Sequence, residues 1–292
     1  MIKNKIKDLV LISKTIGAKP EYAQGGGGNA SVKLDSTRMA IKASGHILKD
    51  VNEDAGYCIV DYPKICHYLS KMDHDENMFS MKINSFAEKS ENRPSMETGF
   101  HALLGEVVLH THSIYANLIN CAKEGADIFH KLFPTAIWIE YETPGRLLTS
   151  KIREALVSIS ELPNIIFLQN HGVIVSGKNT SEVLTIHEDL NNKIQSYFQL
   201  DSSMFKKDTG ELDIEYIKSN ILFPDQAVYI LAGEEILNSL AAKETIAAYN
   251  FIHKTIAAKG LKHNFLSKNY VDILLQMESE KYRQNILKND LH

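Results

Sequence analysis

Glu106-Val107-Val108-Leu109-His110-Thr111-His112-Ser113 is the stretch from which the rest of the chain can be read. Apolar residues run straight into a His-x-His pair, and the two valines favour a β-strand. Side chains on a strand alternate between faces, so His110 and His112 project to the same side, as two ligands of one ion would. Neutral imidazole nitrogen is a preferred ligand of zinc and similar divalent metals. A same-face histidine pair can equally be polar decoration on a half-exposed strand, and the neighbouring stretches decide between the two readings.

Upstream lies Arg93-Pro94-Ser95-Met96-Glu97-Thr98-Gly99-Phe100-His101-Ala102-Leu103-Leu104. Ser95 follows a proline and precedes a helical apolar pattern, so it reads as an N-cap. Glu97 then falls in the first turn beside the stripe Met96, Phe100, Leu103 and Leu104, flanking the buried face. His101, four residues on, shares that side and either orients the carboxylate or satisfies a buried hydrogen bond. Downstream, Ile165 to Val175 reads as strand, tight Asn170-His171-Gly172 turn, strand. His171 therefore stands at a strand end, where a third ligand can meet the first two. Three histidines with a nearby carboxylate and an open position describe a catalytic zinc site better than a closed structural one.

A second feature is the run Gln24-Gly25-Gly26-Gly27-Gly28-Asn29-Ala30-Ser31. Glycine clusters let backbone N–H groups converge on an anion. No Gly-Lys-Ser/Thr follows, which excludes a P-loop, and no helix follows, which argues against a dinucleotide fingerprint. Instead Ser31 to Leu34 and Met39 to Ala43 read as a β-hairpin ending at Ser44-Gly45-His46. A flexible connector is the other reading of the glycines. Asn29 and Ser31, with Ser44 and Gly45 returning at the far end of the hairpin, favour an oxyanion pocket.

The order Gly-Gly-Asn-Ala-Ser, Ser-Gly, Pro-Ser-Met-Glu, His-Thr-His and Asn-His-Gly, spread from Gly25 to about Gly177, resembles the class II aldolase/adducin family. That family includes fuculose- and rhamnulose-phosphate aldolases, ribulose-phosphate 4-epimerases, a thioribulose-phosphate dehydratase, decarboxylases and the non-enzymatic adducin heads. Arg93-Pro94-Ser95-x-Glu97-Thr98 and Tyr141 to Gly145 look most similar to the aldolase part of rhamnulose-1-phosphate aldolase/lactaldehyde dehydrogenase fusions. The resemblance implies an α/β fold, a three-layer α/β/α arrangement with a largely antiparallel or mixed central sheet. It implies Zn2+, or another divalent ion such as Mn2+, Co2+ or Fe2+, held by His110, His112 and His171, with Glu97 as the catalytic base. It places a substrate phosphate against Gly28, Asn29, Ser44, Gly45 and Ser95, although Met96 stands where many of these aldolases carry a second serine.

The implied reaction is cleavage of a ketose 1-phosphate to dihydroxyacetone phosphate and a short aldehyde, by zinc-stabilised enediolate chemistry. Epimerase, dehydratase and decarboxylase chemistry, or an adducin-like binding module, are the alternatives; the 4-epimerases usually carry a different acid at the place of Glu97. The general acid in such aldolases is often a tyrosine of a neighbouring subunit, and Tyr115 and Tyr141 are candidates. A homo-oligomer, a tetramer by resemblance, is expected.

The rest of the chain fits this frame. Strand Tyr57 to Val60, a helix from Pro63 to Met72, helices over Ile114 to Gly125 and Ala126 to Phe133, and strand Ala136 to Glu140 are expected. So are helices Leu147 to Leu162 and Ser181 to Leu200, the latter capped by Thr180 or Ser181. The segment from Asp73 to Asn92 reads as a loop with an embedded helix or strand fragment. Strands alternating with helices suggest a mixed or largely antiparallel sheet covered by helices. A polar stretch at Asp201 to Leu212 suggests a boundary, with residues 1–205 as the metal-binding domain and 206–292 as a mainly helical extension. Within the extension, Asp225 to Leu231 can be a strand, Glu234 to Lys259 and Lys268 to Leu287 long helices, and Glu278 to Arg283 a solvated face. Oligomer contacts or a cap over the active site are the expected roles.

Composition excludes other classes. A net charge of −4 argues against a general nucleic-acid or anionic-membrane surface. The three cysteines have no CxxC spacing and form no disulfide framework. No apolar run approaches a membrane span, and the start lacks a signal-peptide pattern, so a cytoplasmic protein is expected. Single histidines such as His67, His130, His187, His253 and His263 read as core or surface residues.

Overall fold

The structure is a computed structural model and describes residues 2–71, 76–88, 92–201, 205 and 213–290. Most of the polar stretch in which a boundary is expected, and parts of the 73–92 segment, lie outside the described residues. The chain opens with helix α1 (Ile2–Gly17), then the hairpin β1 (Asn29–Lys33) and β2 (Arg38–Lys42) and strand β3 (Tyr57–Asp61). Helices α2 (Tyr62–Ser70), α3 (Glu76–Ser85) and α4 (Thr98–Leu103) lead to β4 (Val107–Thr111), the His-x-His strand. Helices α5 (Ile114–Asn120) and α6 (Gly125–Leu132), strand β5 (Ile137–Ile139) and helix α7 (Arg146–Val157) follow. Then come β6 (Ile165–Leu168), β7 (Gly172–Gly177) and helix α8 (Thr180–Phe198).

These strands form one sheet in the order β3-β2-β1-β4-β7-β6-β5. β5 and β6 run parallel; the other neighbouring pairs are antiparallel. β4 is central, with Asn29 opposite His110 on one side and Ile174 opposite His110 on the other. Strand alternation sends Val107 and Leu109 into one core with Leu9, Ile12, Leu118 and Ile194, while Val108 joins Phe100, Leu148, Ile152 and Ile174 on the opposite face. Each such buried aliphatic side chain contributes roughly 1.5–3 kcal/mol. The result is the expected helix–sheet–helix layering.

Beyond the sheet lie α9 (Ile214–Ser219), α10 (Pro224–Ile230), α11 (Glu234–Leu237), α12 (Leu240–Ala258), α13 (Lys268–Gln276) and α14 (Glu278–Asp290). They pack onto the sheet side that carries α5: Tyr229, Tyr249 and Ile252 share a core with Leu109 and Leu118. Among the described residues no helix is long and apolar enough to cross a membrane.

Four local expectations are corrected. The strand expected over 225–231 is instead a helix, Pro224–Ile230. Pro224 occupies the first turn after an extended Phe223, the position where proline is pre-set for a helix. The helix expected over 234–259 breaks at Ser239, whose side chain caps α12 by accepting from Ala242 N. The one expected over 268–287 breaks at Met277, which is extended and buried. The helix after β7 is capped by Asn179, which accepts from Glu182 N, one residue before the expected cap.

Candidate active site

At the end of β4, His110, His112 and His171 each bring one ring nitrogen within 4.8 Å of the other two, and all three rings are buried. Each ring has a structural reason for its pose. His110 Nδ1 lies 3.2 Å from the Val173 carbonyl on β7, so that nitrogen donates and Nε2 faces the cluster. His112 Nδ1 lies 2.7 Å from Asp225 Oδ2 on α10, with the same consequence. His171 follows Asn170, which holds a left-handed φ of 53° and reaches the carbonyls of Leu222 and Asn264 through Nδ2. Gly172 is required here because a Cβ would lie 2.2 Å from the Thr111 carbonyl oxygen.

The chemistry of these donors fits a divalent cation. Nε2 of His110 and Nε2 of His112 face each other at 3.1 Å, although both Nδ1 atoms already point at acceptors. Imidazoles that give Nδ1–H away and face each other through Nε2 turn lone pairs toward one point, which a cation satisfies. Burial, followed by the neighbouring His171, His112 and His101 rings, holds the His110 pKa well below its ordinary value, keeping it a neutral ligand.

Glu97 completes the cluster. Its Oε1 lies 3.5 Å from His171 Nε2 and 3.6 Å from His110 Nε2, while Oε2 accepts from Asn29 Nδ2 at 2.5 Å. The local structure differs from the expected N-cap at Ser95. The helix begins at Thr98, Glu97 is its N-cap residue, and Ser95 Oγ instead accepts from Glu97 N at 3.2 Å. Such a short-range serine turn competes with the helix and leaves the carboxylate outside it, where it reaches sideways to Asn29 and the histidines. His101 turns the other way: its Nδ1 meets Ser31 Oγ at 2.8 Å, and burial pushes its pKa down to about 3. It belongs to the core hydrogen bonding under the sheet.

Gly28, Asn29, Ser44, Gly45 and Ser95 all line one pocket with Glu97, His112 and His171. The far end of the hairpin meets the Pro-Ser segment through a bridge between Ala43 and Pro94, with Ser44 N donating to the Arg93 carbonyl at 2.8 Å. Two glycine amides expected to face an anion are otherwise engaged: Gly25 N donates to Glu244 Oε2 and Gly26 N to Tyr229 OH. Gly27 has a different duty, since a Cβ there would lie 2.4 Å from Asp225 Oδ2 and 2.7 Å from His112 Nδ1.

Sequence reasoning missed Lys42, Asp225 and Glu280, which line the same pocket and are buried. Lys42 Nζ donates to the carbonyl of His46 at 2.6 Å. A lysine after Met39-Ala40-Ile41, where an apolar strand continues, was the available signal. For Asp225 it was Pro224, a helix start. Glu280, read as part of a solvated face, had none. Tyr115 and Tyr141 do not line the pocket within one chain: Tyr115 packs edge-on to Tyr22 in the core, and Tyr141 sits 4.7 Å from the Tyr270 ring. The single histidines divide between core and surface: His187 is buried, with Nε2 3.0 Å from Thr111 Oγ1, while His67 and His130 are exposed.

Comparison with known proteins agrees with this geometry. The chain is 28% identical over 191 residues to the uncharacterized oxidoreductase YuxG of Bacillus subtilis; the match covers 61% of this chain but only 27% of that protein's length. It is 24% identical to the 3-oxo-tetronate 4-phosphate decarboxylase of Haemophilus influenzae, covering 66% of this chain and 88% of the relative. It is also 24% identical to the L-fuculose phosphate aldolase of Methanocaldococcus jannaschii, covering 54% and 77%. The N-terminal class II aldolase domain of a Thermoplasma acidophilum protein superposes with a TM-score of 0.60 at 22% identity, over 66% of this chain and 92% of that one, and shares the fold. Residues 7–198 match the family model described as the Class II Aldolase and Adducin N-terminal domain, and the chain belongs to that family.

Proposed function

We propose that this chain is a metal-dependent lyase that cleaves a ketose 1-phosphate, of the fuculose- or rhamnulose-phosphate type, to dihydroxyacetone phosphate and a short aldehyde. The observation that carries this reading is the pose of Glu97. One oxygen is tethered by Asn29, and the other points at the three-histidine cluster from 3.5 and 3.6 Å, at the wall of a pocket containing Lys42. His110, His112 and His171 would hold a divalent ion such as Zn2+, which when bound would supply Lewis acidity toward a carbonyl oxygen.

The protein's own groups do the rest. When the carbon–carbon bond breaks, the hydroxyl of the departing half gives its proton to the Glu97 carboxylate and becomes the aldehyde, and the bonding pair passes toward the retained carbonyl. Glu97 in its acid form returns a proton to the carbon left behind. As the carboxylate it removes that proton in the condensation direction. Lys42, Ser44 and Ser95 offer a cation and two hydroxyls to the phosphate end. In this reading residues 1–205 carry the ligands and the base, and the helices of 206–292 brace them. The same parts suit a decarboxylase, a reading favoured by the Haemophilus influenzae relative, matched over 88% of its length.

The test is proton exchange at dihydroxyacetone phosphate in deuterated water, which needs no aldehyde. The metal-loaded protein should catalyse exchange, and Glu97→Gln should retain metal yet lose about 10²–10⁴-fold in rate. Metal-loaded wild type that neither exchanges this compound nor cleaves any ketose phosphate, but releases carbon dioxide from a 3-oxo acid phosphate, would replace the aldolase reading with decarboxylation.

A further inference from the structure

One residue of the pocket lining, Glu280, comes from α14 (Glu278–Asp290), which lies beyond the residues that match the family. Glu280 on this helix is 1% exposed and stands in the pocket lining with Lys42, Ser44, Gly45 and Ser95. A helix normally docks through an apolar stripe. Among the described side chains of α14, the buried one is this carboxylate. Burying an acid is costly unless polar or cationic partners compensate, so its inward pose points to a surrounding built for an anion.

Ile286 of the same helix closes over Gly45 so tightly that a Cβ there would lie 2.3 Å from its Cδ1. The space remaining is a cavity of about 30 Å³, room for a water or two and not for a sugar phosphate. Among the described side chains, the other fastenings of the helix are slight. Arg93 pairs with Glu278 at 2.9 Å with both side chains exposed, and its guanidinium lies 4.5 Å from the Tyr282 ring centroid. Gln284 Nε2 donates to the Val228 carbonyl at 3.0 Å. Exposed ion pairs contribute little, and an element with few buried apolar contacts opens readily.

We propose that α14 is a cap over the anion end of the pocket, with the Glu280 carboxylate seated where the substrate's anionic group binds, so that binding expels Glu280 and lifts the helix. This rests on the anion-binding reading of the pocket given above. Two negative groups cannot share the surroundings of Lys42 without mutual repulsion. Glu280 thereby sets a threshold: a ligand enters only if its own anionic group competes with a carboxylate already in place.

The experiment uses the full-length, metal-loaded protein as wild type, Glu280→Gln and Glu280→Ala, with inorganic phosphate as the probe. Titration calorimetry should find both variants binding phosphate at least about tenfold more tightly than wild type. In the wild type, phosphate should raise backbone hydrogen exchange across residues 278–290. Equal phosphate affinity in all three proteins overturns the cap and leaves the anion pocket standing. Failure of all three to bind phosphate overturns both. Phosphate binding to wild type with exchange in 278–290 unchanged also overturns the displacement.

Discussion

His112 Nδ1 and Asp225 Oδ2 lie 2.7 Å apart in the buried interior, joining the end of β4 to α10 across 113 positions of sequence. The contact decides which nitrogen His112 offers to the cluster. With Nδ1–H given to the carboxylate, Nε2 is left as the acceptor facing His110 and His171. A helix outside residues 7–198 thus helps set up the candidate metal site.

Removing that carboxylate should weaken the site without touching a ligand. Asp225→Ala is expected to lower zinc affinity about 10–100-fold, with Asp225→Asn, which keeps an acceptor, losing less. Competition with a chromogenic chelator measures this. Unchanged affinity in Asp225→Ala would mean that another group orients His112.

Gly27 tests the same contact from the other side. A methyl group at this position would press on Asp225 Oδ2 at 2.4 Å and His112 Nδ1 at 2.7 Å. Gly27→Ala should therefore reproduce the metal loss of Asp225→Ala, and the double variant should lose little more than either single one, as expected for changes that break one interaction. Full zinc affinity in Gly27→Ala would show that the loop yields at no cost.

Asn29 and Lys42 line one pocket but should fail in different ways. The Asn29 amide is held by Glu97, so Asn29→Ala should lower kcat by releasing the base, about tenfold or more. Lys42→Met should instead raise KM for a phosphorylated substrate far more than for an unphosphorylated analogue, because it removes a cation from the phosphate end. Steady-state kinetics on the two substrates separates the effects; identical signatures for both variants would merge the two roles.

The acid limb of stability has an assignable contributor. Burial pushes the His187 pKa down to about 3, against an ordinary 6.5. Above 6.5 neither folded nor unfolded chain protonates this ring. As pH falls from 6.5 toward 3 the unfolded chain gains a proton that the folded one refuses, and stability is lost. Between pH 7 and pH 5 this amounts to about 2 kcal/mol. Denaturant titrations at the two pH values should show a smaller loss in His187→Gln than in wild type, and equal losses would place the acid sensitivity elsewhere.

His110, His112, His171 and Glu97 could be named from sequence because each is positioned by a short-range rule. Period-two alternation puts two histidines on one side of β4, and a tight Asn-His-Gly turn presents the third to them. Glu97 follows a Pro-Ser turn, although the turn proved to be a serine side-chain turn ahead of the helix, not its cap. The glycine run was legible as a close-approach loop, but not the reason for Gly27, because what approaches it comes from α10.

Asp225, Lys42 and Glu280 had no such rule behind them. Each is a single polar residue in an element whose local pattern says only strand or helix, and its role depends on what that element packs against. Alternation and turn chemistry act over a few residues and are written in the order of the chain. The carboxylate beside His112 and the one from Glu280 that lines the same pocket arrive from helices more than a hundred positions away, placed by burial of side chains such as Tyr229 and Tyr249 against the sheet. Local sequence therefore determined the candidate ligands and the proposed base, while long-range packing alone decided which side chains stand behind them and which helix lines their pocket.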